Sequence, residues 1–471
     1  MTIPAPTTGD LAIVLHSHMP YVEGFGTYPF GEEWLFDAVA RSHLPVLDVA
    51  ENLTMTVTPV LADQLEADGV GERMLEFLRR HRLGAAERDA ADGEPALRGA
   101  AAAEAEHYRG AIAALEALDG PALGAFQAAA EGRRVELVAS AATHALLPKL
   151  ASLNGRRLQV DAGLRSHRRR FGHARGFWLP ECAYEPGLEL LLAEQGIDYT
   201  CLDQSGSEPG AAALTPVRLP GGPVAFTIDW ETVELVWSER GYPAAPEYLE
   251  YHRLSPNGTR LWAISGEPYD PEAAAARAAD DANRFLRAVR DRLDSHRQAA
   301  GRRGLCVFAI DTELLGHWWS EGPRWLRGVV AGAAGEGVRL VTLAEALGEH
   351  PAEPRPAARA SWGEGKTLET WDSPAVADLT WGARRLELRL LRALAGGERG
   401  PGAERAAREL LAVQSSDWAF MDHRKQAGDY PFRRAVTHAG AALQALSSPE
   451  ATDPRMRNLA PDLVLAPLLE P

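Results

Sequence analysis

Residues 305–311, LCVFAID, form an unbroken apolar run closed by a carboxylate. A strand with one wet face alternates polar and apolar residues; a run like this fits a parallel strand covered on both faces. Related β-rich runs recur at 11–16, 54–60, 135–140, 176–179, 198–202, 260–264 and 339–342, separated by helical periodicity. That alternation predicts a parallel α/β architecture. Polar residues stand just past most of these runs: His18, His144, Glu181, Asp203 and Asp311. In a (β/α) barrel the strand C-termini open on one face, so these side chains are expected in one pocket.

Two regions break the alternation. Residues 63–133, which include VGERMLEFLRRH and AAAAEAEHYRGAIAALEAL, are alanine-rich with i,i+4 apolar spacing and no strand pattern. They read as a helical insertion. The proline-rich LGEHPAEPRPAARASWGEG marks a boundary, and the remainder carries helical periodicity. The expected organisation is a catalytic barrel over 1–350, interrupted by the insertion at 63–133, and a helical domain over 360–471 that contributes to the cleft. A length of 471 residues accommodates this.

Composition narrows the function. A net charge of −16 speaks against nucleic acid, since phosphate binding needs a basic face. Twelve tryptophans, several beside polar residues, suit carbohydrate, because indole faces stack on sugar rings. Cys182, Cys201 and Cys306 are few, odd in number and lack a C-x-x-C pair, so a reduced cytoplasmic protein is expected. We find no basic region ahead of the first apolar run and no apolar stretch of about 20 residues, so neither a leader nor a membrane partner is expected.

Glu181 in FWLPE and Asp311 in FAID occupy equivalent strand ends. Two carboxyls facing each other across a sugar make a retaining glycosidase, one the nucleophile and the other acid then base. The alternative is that each only caps the following helix. His16 and His18, two apart on a strand, face the same way. They fit a packed core, a divalent-metal site together with His144 and Asp311, or hydrogen bonds to sugar hydroxyls; no lysine or second histidine pair supports the metal. Asp417 and Trp418 in SSDWAF are a polar–aromatic pair, with simple core packing as the alternative for Trp418. A nucleophile elbow, a phosphate loop and G-x-G-x-x-G after a strand are all lacking.

The blocks LHSHMPYV, EEWLFDAVARSHLPVL, TVTPVLADQL, ELVASAATHALLPKL, FWLPECAYEPGLE, VWSERGYPAAPEYLEYHR, EPYDPEAA, FAIDTELLGHWWSEGPRWL, SWGEG and SSDWAF, in this order, resemble glycoside hydrolase family 57 and its 1,4-α-glucan branching enzyme group. The resemblance runs from residue 11 to about 440. It implies a distorted (β/α)7 barrel with a helical insertion and a C-terminal all-helical domain. It also implies an α-glucan substrate and a retaining mechanism that needs neither metal nor other cofactor. Glu181 takes the place of the nucleophile and Asp311 that of the general acid/base. His16, His18, His144 and His317 match residues lining the subsites. Trp34, Trp262, Trp318, Trp362, Trp371, Trp381 and Trp418 are aromatic candidates for the cleft, with Asp417 as a sugar ligand.

One segment departs from the group. DQSGSEPGAAALTPVRLPGGPVAF, after the nucleophile helix, is short and lacks tyrosine. Branching members carry a longer, aromatic-bearing loop there, so water entry and hydrolytic leakage are expected. The expectation is a monomeric branching enzyme. The alternatives are an α-glucan hydrolase or 4-α-glucanotransferase of the same family, a metal-dependent barrel hydrolase, or a non-catalytic glucan-binding protein.

Overall fold

A computed structural model of the chain describes residues 8–24, 26, 31–118, 120–207, 214–447 and 458–470. Its frame is a curled sheet of β1 (Gly9–Ser17), β2 (Leu53–Val57), β3 (Val135–Ser140), β4 (Gly176–Trp178), β5 (Tyr199–Leu202), β6 (Val217–Arg218), β7 (Val224–Thr227), β8 (Leu305–Asp311), β9 (Val338–Leu340) and β10 (Glu353–Pro354). Seven strands run parallel in the order β7-β5-β4-β3-β2-β1-β8. The two ends of that row meet just past β7, where the Asp229 amide donates to the Val307 carbonyl at 2.9 Å. One such bond in place of a full ladder is the distortion of the expected seven-stranded barrel. β6 runs antiparallel to β7 and extends the sheet to β10, while β9 pairs with the first residues of β1.

The apolar runs are buried as their composition requires. Every residue of β1 is buried, and in β8 only Asp311 is partly open. The helix Pro271–Ala300 covers β8, with Phe285 edge-on to Phe308 at 5.0 Å and to Trp325 at 5.1 Å. Between β2 and β3 the chain forms helices Pro59–Leu65, Val70–Phe77, Gly84–Asp92, Arg98–Ala117 and Leu123–Glu131, with no strand among the described residues. After β10 come helices Ala377–Ala395, Pro401–Val413, Ser416–Arg424 and Tyr430–Ser447. They share a core of Leu386, Leu390, Leu394, Ala407 and Leu410 with Tyr21, Val60 and Leu158 from the barrel side. Wholly buried Arg434 joins the two parts by donating to the carbonyls of Tyr21 and Val22.

Two strand expectations need correction. Residues 260–264 are not a sheet strand; Trp262 and Ala263 make only isolated bridges, to Pro268 and Leu249. Their side chains serve local contacts, with Arg260 over Tyr251 and Arg253 over Trp262. The seventh parallel strand is instead β7, inside the segment read as a Gly/Pro-rich loop. Its signal was the apolar VAFTI after a PGGP turn.

The helix Leu153–Phe171 lies so close to the end of β3 that a Cβ on Gly163 would overlap the Ser140 carbonyl oxygen. Gly163→Ala should therefore force backbone apart and cost about 1–3 kcal/mol. Urea unfolding measures this, and an unchanged midpoint would show that the contact relaxes freely.

Candidate active site

Register sets the floor of the site. His16 of β1 is level with Thr56 of β2 on one side and Asp311 of β8 on the other, and Ser140 of β3 is level with Trp178 of β4. Because these strands are parallel, the residues that follow them, His18, His144, Glu181 and Thr312, all emerge at the same mouth. The backbone turns sharply there. Glu181, Cys182 and His144 have φ of 61°, 48° and 56°, three of the eight left-handed non-glycine residues in the described chain. Each costs roughly 1–2 kcal/mol, and such strain gathers where a side chain must be aimed.

Glu181 is aimed and held from two directions. Its Oε2 accepts from Trp362 Nε1 at 2.8 Å, its Oε1 from Ser416 Oγ at 2.7 Å, and its carbonyl from the Trp362 amide at 3.0 Å. Burial raises its pKa against the pull of the two hydrogen bonds and with a push from Asp417. Asp311 differs. Among the described residues its carboxyl accepts no hydrogen bond. Burial first, then the charges of Glu313 and Glu181, hold it well above the usual carboxylate range. One carboxyl is thus held by donors and the other is not, and burial pushes the second the further toward its neutral form.

Three histidines line the floor. His16 Nε2 lies 2.9 Å from His144 Nε2, and His144 Nδ1 lies 2.9 Å from Ser416 Oγ. Burial, then the neighbouring charge of His18, pushes both His16 and His144 well below the ordinary imidazole value. For His18 burial also acts downward, but Asp417, bound to its Nε2 at 2.9 Å, outweighs it and the net shift is up. His18 Nδ1 meets Thr58 Oγ1 at 3.0 Å, and the His18 amide donates to Glu313 Oε1 at 3.1 Å. His16 stacks on Trp178 at 4.8 Å, and Trp178 meets Trp362 edge-on at 5.2 Å.

His16, His18, His144, Glu181, Trp362 and Asp417 are therefore in mutual contact, with Asp311 beside them. The other candidates sit elsewhere. His317 and Trp318 pack around Tyr251, with ring centroids at 5.9 and 4.5 Å, and Trp318 keeps about half its surface exposed. Trp262 lies against Leu97, Ala100 and Leu261, and Trp381 is exposed over Arg384. Trp418 is 1% exposed and its indole donates to the Ala412 carbonyl, so it has no face to offer a sugar and serves as a core residue. Trp371 is likewise buried, and Trp34 packs edge-on to Tyr430. Sequence reasoning missed Ser416, Glu313 and Trp178. Ser416 stood within SSDWAF, but a serine carries no periodic signal.

His18, His144 and Asp417 bring one ligand atom each within 4.8 Å of the others. Two imidazoles hold one ion only where their in-plane lone pairs converge. These rings are stacked, 4.1 Å between centroids and 22° from parallel, so the lone pairs run side by side. Both nitrogens of each ring also have side-chain partners. The geometry suits hydrogen bonding better than coordination.

Asp417→Asn should lower the His18 pKa, since the interaction that outweighs burial is removed. An NMR titration of His18 would then show it turning neutral at lower pH than in the parent, and an unmoved titration would discount the pair.

The family model described as glycosyl hydrolase family 57 matches residues 12–358, and that described as 1,4-alpha-glucan branching enzyme, C-terminal, matches 392–460. The chain is 32% identical to a 1,4-alpha-glucan branching enzyme of Thermococcus kodakarensis, covering 92% of this chain and 72% of that one. It is also 32% identical to a probable 1,4-alpha-glucan branching enzyme of Mycobacterium tuberculosis, covering 94% and 93%. Its structure is similar to the crystal structure of a family 57-type branching enzyme from Pyrococcus horikoshii, with a TM-score of 0.92 at 31% identity over 98% and 97% of the two chains. Similarity extends to the alpha-amylase AmyC of Thermotoga maritima, with a TM-score of 0.83 at 25% identity over 95% of each. With model, relatives and fold in agreement, the chain belongs to glycosyl hydrolase family 57.

Proposed function

We propose that this chain is a 1,4-α-glucan branching enzyme, working by retaining double displacement with Glu181 as nucleophile and Asp311 as general acid/base. The observation that carries the reading is the contrast between the two carboxyls, Glu181 held by two donors and Asp311, partly open, with none among the described residues. Protonated Asp311 gives its proton to the departing glycosidic oxygen while Glu181 attacks the anomeric carbon and forms a glucosyl ester. Asp311, now ionised, takes the proton of an incoming 6-hydroxyl as that oxygen displaces Glu181. The bond cleaved is α-1,4 and the bond formed α-1,6. His18 and Asp417 stand beside Glu181 as hydrogen-bonding groups for sugar hydroxyls, and the exposed Trp318, packed on Tyr251, offers a stacking face further out.

Asp417 and Ser416 come from the helical segment after β10, which supports a division into a barrel over 1–350 and a helical domain over 360–471 that completes the cleft. No helix among the described residues is long and apolar enough to cross a membrane. A monomer in the cytoplasm is the finer reading, the location resting on the few cysteines, none in a C-x-x-C pair.

Hydrolysis is the second reading, favoured by the similarity to an amylase and by the brevity of the segment between β5 and β7. Of that segment, residues 208–213 lie outside the described residues. Amylose treated with the protein should lose iodine staining and gain α-1,6 linkages with few new reducing ends. Reducing ends rising in step with the loss of staining would instead make it a hydrolase.

Glu181→Gln should lower turnover at least about 10³-fold and Asp311→Asn about 10²- to 10⁴-fold, with the fold kept by circular dichroism. Substantial activity in the first variant would sink the nucleophile assignment. Since Glu181 must be ionised, activity falls as pH drops through its raised pKa. Since Asp311 must be protonated, activity falls as pH rises through its own. The profile should be a bell, and Asp311→Asn should abolish its basic limb.

A further inference from the structure

The hydrogen bonds behind Glu181 have a direction. His16 Nδ1 is buried and has no partner, so its proton belongs on Nε2, because an unmet N–H costs more than an unmet lone pair. His16 Nε2–H then donates to His144 Nε2 at 2.9 Å, which places the His144 proton on Nδ1. That N–H donates to Ser416 Oγ at 2.9 Å, leaving the Ser416 hydroxyl hydrogen for Glu181 Oε1 at 2.7 Å. The reversed order would bury an unmet His16 N–H and set an oxygen lone pair of Ser416 against the Glu181 carboxylate.

We propose that Ser416 is a positioning residue for the nucleophile, the last link of a one-way chain His16 → His144 → Ser416 → Glu181 that holds Glu181 ionised and aimed. The inference rests on the reading of Glu181 as nucleophile. The backbone is built to keep Ser416 in place. Its amide donates to the His144 carbonyl at 3.1 Å, and Ala145 and Ser415 form an antiparallel bridge. The hydroxyl comes from the helix Ser416–Arg424 and the Trp362 indole from the segment after β10, so the barrel strands by themselves supply Glu181 with neither side-chain donor.

Other ionisable groups face Glu181 and do not replace this link. His144 reaches Oε1 at 3.5 Å, beyond hydrogen-bond distance. His18 and Asp417 act through space with opposite signs, while Asp311 carries a like charge when ionised, with Glu313 behind it. Cys182 is wholly buried, and burial pushes its thiol up, so it remains neutral.

Ser416→Ala removes a donor to an ionised carboxylate. The acid limb of kcat/KM, which reports the free enzyme, should move up by about 1–2 pH units, with a roughly 10- to 100-fold fall in kcat/KM near its optimum. Ser416→Thr, which keeps the hydroxyl, should return the limb to its parent position. A structural role alone would lower activity or stability and leave the limb in place, and that outcome overturns the proposal. If Ser416→Ala does not fold, the parent protein decides through its histidine ¹⁵N shifts. His16 should be protonated on Nε2 and His144 on Nδ1, both neutral because burial pushes them well below the ordinary imidazole value, and the opposite tautomer in either ring refutes the chain. An active Glu181→Gln variant would mean that the nucleophile reading has failed. An inactive Glu181→Gln variant with an unmoved Ser416→Ala limb would mean that only this inference has failed.

Discussion

Burying the Glu181 carboxyl at the mouth of the barrel is the constraint around which the rest of the molecule is arranged. Without partners, burial would drive the Glu181 carboxyl to take a proton. Its two donors come from two places far along the chain, Trp362 on the strap after β10 and Ser416 at the start of a C-terminal helix. The left-handed backbone at Glu181 and Cys182 turns the carboxylate toward them. The strain is offset by hydrogen bonds that exist only when the strap and the helix are docked.

This explains why the helical region is joined to the barrel so closely. Arg434 donates to carbonyls just past β1, the Ser416 amide is tied to the loop after β3, and Tyr184 exchanges backbone hydrogen bonds with Ala360 ahead of Trp362. Each tie lands within a few residues of a site side chain: His18, His144, Glu181. The incomplete closure at β7 and β8 lies on the same sheet, and there a single backbone bond stands in for a ladder.

The parallel strands, the buried runs and the polar strand ends were legible because burial on two faces leaves an unalternating apolar signature. β8 and β1 show this most plainly, and both catalytic candidates were found from that pattern. Segment 260–264 looked like a strand for the same reason, yet its aromatic and arginine side chains are satisfied locally. β7 was hidden by its PGGP turn. Trp418 resembled a sugar platform beside Asp417, and only its complete burial shows that it belongs to the core. Trp262, His317 and Trp318 were grouped with the cleft by the resemblance; the structure packs His317 and Trp318 around Tyr251 and sets Trp262 against Leu97 and Ala100, further from Glu181.

What the sequence determined was local: most of the buried parallel strands, which of their ends carry polar groups, and that Glu181 and Asp311 stand at strand ends. Local patterns decide these because the periods of strands and helices are properties of a few neighbouring residues. What the tertiary structure decided was the chemistry assigned to each group. The same acidic side chain sits among hydrogen-bond donors or without them depending on whether groups 180 or more residues away reach it, as Trp362 and Ser416 reach Glu181 and no hydrogen-bond donor among the described residues reaches Asp311. That difference lies in distances between remote segments, and charge at a buried site is governed by such distances rather than by the identity of the residue.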